Sequence, residues 1–99
     1  MKTFDFGDGK GPVPAHKHPN GEGWVTDTAI VAATAYVGSS ARVYGNARVY
    51  DAAWVYGNAQ VSGNAEVSGN AEVYGNAWVF GDAMVYGNTR VYGNARVSE

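Results

Sequence analysis

Valine returns at every sixth position along most of the chain: Val25, Val31, Val37, Val43, Val49, Val55, Val61, Val67, Val73, Val79, Val85, Val91 and Val97. Two residues before each, from Val31 onward, stands a small residue: Ala29, Ala35, Ala41, Ala47, Ala53, Ala59, Ala65, Ala71, Ala77, Ala83, Thr89 and Ala95. Between a Val and the next Ala lies a pair that is most often Gly-Asn, as at Gly45-Asn46 and Gly93-Asn94. The unit Ala-x-Val-y-Gly-Asn runs from about Val25 to Val97 without insertion or deletion. Side chains two apart on a strand share a side. Ala and Val therefore face inward from a short strand, while x and y face outward. Gly and Asn tolerate left-handed and turn conformations, so each pair bends the chain between strands.

Other architectures fit this pattern poorly. A six-residue period does not match the 3.6 of a helix, and each interior Gly would cost a helix roughly 1 kcal/mol. A meander of hairpins does not require Val in strict phase, whereas stacking of like on like does. A disordered tract has no need of an apolar residue at every sixth position.

The unit Val43-Tyr44-Gly45-Asn46-Ala47-Arg48, an aliphatic residue followed four positions later by a small one, resembles the hexapeptide-repeat family, and the likeness extends over the whole repeat. The resemblance implies an all-β fold, a left-handed parallel β-helix of triangular section with three units per coil. Val25 to Val97 then makes about four coils of eighteen residues. At ~4.8 Å per coil the prism is roughly 20 Å tall. Its interior is narrow and filled, which places any function outside.

Stacking residues eighteen apart predicts what each face shows. The first carries Trp24, Arg42, Gln60, Trp78 and Arg96 at x, with Thr26, Tyr44, Ser62, Phe80 and Ser98 at y. The second carries Ile30, Arg48, Glu66 and Met84, with Ala32, Tyr50, Ser68 and Tyr86. The third carries Tyr36, Trp54, Glu72 and Arg90, with Gly38, Tyr56, Tyr74 and Tyr92. On this third face Tyr56, Tyr74 and Tyr92 are expected to form a ladder beside Trp54 and a Glu72–Arg90 pair. Such a ladder stabilises adjacent coils by roughly 0.5–1.5 kcal/mol per ring pair. A flat surface rich in Tyr, Trp and Arg also has the composition of a protein-binding patch. Arg48 below Glu66 is a further expected pair, worth only ~0–1 kcal/mol when exposed. The corners carry Asn columns, whose amides can bond along the stack. Without repeated Asp they are weak calcium ligands, and Asp51 and Asp82 fall on different corners.

Residues 1–23 have different chemistry and are expected to form an irregular N-terminal capping segment ahead of the β-helix at 24–99. Phe4-Asp5-Phe6 suits a short strand, and Gly7-Asp8-Gly9 and Gly11-Pro12 suit turns. Val13 keeps the phase of the Val column, so part of the segment can already follow the prism. A β-helix exposes an unpaired edge at each end; Phe4, Phe6 and Trp24 are the expected cap. His16 and His18, the two histidines, form an H-x-H pair that on an extended strand would point one way. A metal there would need Asp5, Asp8 or Glu22 as well; ordinary polar residues of the cap are the expected reading, with no metal. At the other end, Ala95-Arg96-Val97-Ser98-Glu99 leaves an edge that could pair with a second chain.

Composition sharpens this picture. Leu is absent and Ile30 is the one isoleucine, unlike a helix-packed core. The 99 residues suit one domain. A formal charge of −2 gives no whole-protein reason to expect nucleic acid or a membrane surface. With no cysteine there is no disulfide, thiolate nucleophile or Cys-ligated zinc. No apolar h-region or membrane-length stretch is present, which makes a cytoplasmic protein the expectation.

The family resemblance also implies acyltransferase chemistry with CoA or acyl carrier protein. Those enzymes use a histidine near a subunit interface and an inserted loop or extension, and Val25–Glu99 holds neither. The γ-type carbonic anhydrases share three histidines between subunits, a set this chain does not supply. No Ser-His-Asp set, phosphate-binding Gly loop or paired-carboxylate cleft is visible. The expectation is therefore no enzyme and no cofactor. Faces of Arg, Glu, Trp and Tyr also lack the regular Thr array of an ice-binding surface. What is expected is a structural or protein-binding module acting through Trp54, Tyr56, Glu72, Tyr74, Arg90 and Tyr92, assembled with itself as a dimer or trimer or bound to another protein. Short proteins with V-Y-G-N-A-R-like repeats are similar to small bacterial and phage proteins, which implies an inhibitor of a host protein as one such role. Glycan binding through Trp54, Trp78 and Tyr side chains is the alternative, and a degenerate acyltransferase-like protein a second.

Overall fold

The computed structural model describes residues 2–7 and 9–98, and fifteen strands numbered in chain order lie among them. Strands β1 (Thr3–Asp5) and β2 (Pro12–Lys17) precede the repeat. The others wind three to a coil. The first face consists of β3 (Trp24–Thr26), β6 (Arg42–Val43), β9 (Gln60–Val61), β12 (Trp78–Val79) and β15 (Arg96–Val97). The second consists of β4 (Ile30–Val31), β7 (Arg48–Val49), β10 (Glu66–Val67) and β13 (Met84–Val85). The third consists of β5 (Tyr36–Val37), β8 (Trp54–Val55), β11 (Glu72–Val73) and β14 (Arg90–Val91).

Each face is a parallel sheet in which like stacks on like: Val43 pairs with Val61, Val67 with Val85, Val73 with Val91. This is the expected triangular parallel β-helix of about four coils. The inward Val and Ala side chains from Ala35 to Ala83 are essentially solvent-free. Each buried Val stabilises by about 1.5–3 kcal/mol relative to exposure. No helix is long and apolar enough to cross a membrane among the described residues.

The sheets have a direction. The N–H groups at the x and y positions donate to a carbonyl one coil further on, as in Tyr44 N–H to Val61 O and Ser62 N–H to Val79 O, both 2.9 Å, whereas Val37 N–H points back and donates to Asn20 O at 3.1 Å. The first coil therefore presents both N–H and C=O groups at its open edge, and the N-terminal segment supplies partners to both: Gly23 N–H donates to Val37 O, and Asn20 O accepts from Val37 N–H. On the first face β2 pairs antiparallel with β3, and β1 pairs antiparallel with β2, extending that sheet to seven strands. On the third face Gly23 N–H donates to Val37 O at 2.9 Å, and Asn20 Nδ2 donates to Ala35 O at 3.0 Å. Gly23 is required here because a Cβ would lie 2.3 Å from the Gly38 carbonyl oxygen. The cap is thus more regular than its sequence suggests: a hairpin closes one face and a tight loop another. Val13 belongs to that hairpin, opposite Phe4, and not to the inner Val column.

Corners are made by the Gly residues. Gly45, Gly57, Gly63, Gly69, Gly75, Gly81, Gly87 and Gly93 all have φ between +64 and +69°. Corner N–H groups bond to the next coil as strands do, Asn58 to Gly75 O and Asn76 to Gly93 O at 2.8 Å. The Asn side chains add longer contacts of 3.4 Å along the stack, from Asn58 to Asn76 and from Asn76 to Asn94. Asp51, with φ 58°, takes a Gly position, and its carboxylate accepts the Gly69 N–H at 2.9 Å.

Candidate functional site

The third face carries a continuous aromatic strip. Its rings run from Tyr36 to Trp54 (centroids 5.0 Å apart), Trp54 to Tyr56 (5.9 Å), Tyr56 to Tyr74 (4.9 Å) and Tyr74 to Tyr92 (5.5 Å). The last two pairs are nearly parallel, at 6° and 14°. Eighteen-residue register causes this, since β5, β8, β11 and β14 place the x and y positions of successive coils directly over one another. Tyr36 belongs to the strip although its sequence context does not single it out; the signal is its spacing of one coil from Trp54. Trp54 and Tyr92 are 49% and 59% exposed, so the strip presents large apolar surface to solvent.

Glu72 and Arg90 are neighbours in register but form no ion pair. The Glu72 carboxylate instead accepts the Tyr56 hydroxyl at 3.0 Å. The Tyr hydroxyl reaches across one coil to a half-buried carboxylate, while the Arg90 side chain stays exposed. Burial first, and then this carboxylate, push the Tyr56 phenol above its ordinary value of 10.0. On the second face Arg48 and Glu66 do pair, at 3.7 Å.

The first face differs. Phe4 stacks on Trp24 at 4.8 Å, meets Phe6 edge-on at 4.8 Å, and Phe6 stacks on Tyr44 at 5.0 Å. The three rings expected as a cap therefore come together, but over the outer surface of the first face; backbone groups, with the His18 and Asn20 side chains, close the end itself. Beyond Tyr44 the y column drops to Ser62 and rises again at Phe80, leaving a trough between the hairpin loop and Trp78. Its volume is about 600 Å³, and Phe6, Lys10, Arg42, Gln60, Trp78 and Phe80 are among its lining residues.

His16 and His18 do not converge. His16 Nδ1 donates to the Asp27 carboxylate at 2.8 Å on the surface. His18 is buried, and its Nε2 donates to Ala35 O at 2.9 Å, closing the end of the third face. A carbonyl can only accept, so His18 carries its proton on Nε2. Asp8, one conceivable further ligand, lies outside the described residues. Among the described residues no group of three or more His, Cys, Asp or Glu could hold a metal ion.

A family model described as the YdcK beta solenoid repeat matches residues 41–58 and 59–72. Residues 41–58 make one full coil, so the similarity is to the winding unit itself. No curated protein and no solved structure matches the chain.

Proposed function

We propose that this chain is a non-catalytic protein-interaction module whose contact surface is the third face, and that one partner of that face is a second copy of the chain. The observation that carries this reading is the uninterrupted strip from Tyr36 to Tyr92, with exposed Trp54 and Tyr92 and an Arg90 that has no ion-pair partner among the described residues. Rigid aromatics flanked by Arg are the residue types that dominate binding at protein interfaces. The strip is also self-complementary. Two copies related by a twofold axis between coils would bring Glu72 of each opposite Arg90 of the other, as an isologous contact requires.

A ladder serving stability alone would need its rings stacked, but would not need Trp54 and Tyr92 exposed. Blocking the surface of another protein, as a phage-encoded inhibitor would, calls on the same strip. The test is solution mass by light scattering across a concentration series, for the wild type and for Trp54→Ser with Tyr92→Ser. Concentration-dependent mass in the wild type, lost in the double variant while the β-helix remains folded, supports the proposal. A monomer at millimolar concentration overturns self-association, and unchanged assembly in the double variant overturns the assignment to this face.

A further inference from the structure

The trough on the first face has no role in contact through the third, and it is built from the sequence upward. Successive coils of that face present Arg42 with Tyr44, then Gln60 with Ser62, then Trp78 with Phe80. The middle coil has the short Ser62 at y, between Tyr44 and Phe80, so the surface sinks between two tall rows. Adjacent coils lie ~4.8 Å apart, so the rows are separated by roughly 10 Å. The hairpin loop raises a wall at the near side, where Phe6 stacks on Tyr44.

The groups lining this trough share one polarity. Tyr44 donates its hydroxyl hydrogen to Gln60 Oε1 at 2.7 Å, which leaves the Gln60 amide N–H groups as donors. Trp78 Nε1 donates to Ser62 Oγ at 3.1 Å, leaving the Ser62 hydroxyl its own hydrogen to give. Arg42 spends one guanidinium nitrogen on Phe6 O at 3.3 Å and has further N–H groups. Lys10 stands on the rim, and Arg96 lies over the Trp78 ring at 5.9 Å. No acidic side chain is among the described lining residues. The trough therefore offers hydrogen-bond donors and positive charge beside aromatic surface.

We propose that this trough is a binding site for an acidic sugar, a pyranose bearing a carboxylate such as a uronate residue of an oligosaccharide. The carboxylate meets Arg42, ring hydroxyls accept from Gln60 and Ser62, and the apolar C–H face of the sugar lies on Trp78 and Phe80. A nucleobase is less well served. Trp78 and Phe80 are tilted by 44° to each other, and Arg96 covers one side of the Trp78 ring, so no open parallel slot exists for a flat heterocycle. A long polyanion is also opposed by the chain's net charge of −2, whereas one carboxylate is not.

The chain has three tryptophans, so its indole N–H signals report separate places: Trp24 under the hairpin, Trp54 on the third face, Trp78 in the trough. Titration of ¹⁵N-labelled protein with trigalacturonate is expected to shift the Trp78 signal to saturation and leave Trp54 unmoved. Galactotriose, its neutral counterpart, should bind at least about tenfold more weakly. Arg42→Gln should abolish that preference, and Gln60→Ala, a surface change that leaves the core intact, should weaken both sugars. Trp54→Ala should alter neither, which separates this site from contact through the third face. The proposal is overturned if Trp78 does not respond, if the neutral sugar binds equally well, or if single-stranded oligonucleotide binds more tightly than trigalacturonate.

Discussion

Two glycines at equivalent corners differ only in what lies beyond them. Gly75 and Gly93 have φ of 69° and 65° and occupy the same column. A Cβ built on Gly75 lies 2.9 Å from Gly93 N and 3.2 Å from Gly93 O; a Cβ on Gly93 meets nothing within 4 Å. Both Gly→Ala changes carry the left-handed cost of an L-residue, about 1–2 kcal/mol. Only Gly75→Ala must also push two coils apart, lengthening the 2.8 Å bond from Asn76 N–H to Gly93 O. Losing one such bond costs about 0.5–1.5 kcal/mol. Asp51 shows the adjustment already made in the native chain. At its corner the bond from Ala52 N–H to Gly69 O is 3.1 Å, and the Asp51 carboxylate compensates by accepting the Gly69 N–H. Ala has no such group. Gly93→Ala should therefore destabilise by about 1–2 kcal/mol and Gly75→Ala by about 1.5–3.5 kcal/mol. Urea unfolding followed by circular dichroism measures both. Equal losses, or a smaller loss at Gly75, would refute coil stacking as the reason these corners demand glycine.

Three further outcomes follow from the packing. Val67→Ala, at a solvent-free position, should cost about 1.5–3 kcal/mol in the same assay; a loss under about 0.5 kcal/mol would mean that the core is not tightly filled. Gly23→Ala should detach the loop at residues 18–23 from the third face, seen as faster hydrogen exchange of the Gly23 and Val37 amides with slow exchange retained at Val67; unchanged protection would contradict the close approach to Gly38 O. Tyr56 has its phenol pKa raised in the folded state, so the unfolded chain releases that proton first and stability falls as pH rises past about 10 and through the folded value. Thermal midpoints of wild type and Tyr56→Phe between about pH 9 and 11 should show the smaller decline in the variant, and parallel curves would count against the Tyr56–Glu72 bond.

The fold was legible because it is a stack. Once Val43, Val61 and Val79 are known to share a column, every outward side chain has a face and a neighbour, and the Tyr56–Tyr74–Tyr92 ladder follows from arithmetic on residue numbers. What spacing does not encode is rotamer choice. Glu72 has two candidate partners within one coil, Arg90 and the Tyr56 hydroxyl, and its choice of Tyr56 depends on burial that periodicity cannot show. The trough was hidden for a similar reason. Gln60 and Ser62 are unremarkable in their own column, and matter only because the hairpin places Phe6 over Tyr44. That hairpin lies outside the repeat, where Gly and Pro mark turns but not which strand the chain returns to. The split of His16 and His18 has the same origin, since β2 ends at Lys17 and His18 already belongs to the loop that turns onto Ala35.

A dilution series of ¹⁵N-labelled protein, followed through the backbone amides and the three indoles, tests the role of the third face most directly. Concentration-dependent shifts should cluster at Trp54, Tyr74, Arg90 and Tyr92, while Gln60, Ser62 and Trp78 remain fixed. Shifts confined to the first or second face, or none up to millimolar concentration, would contradict association through the aromatic strip.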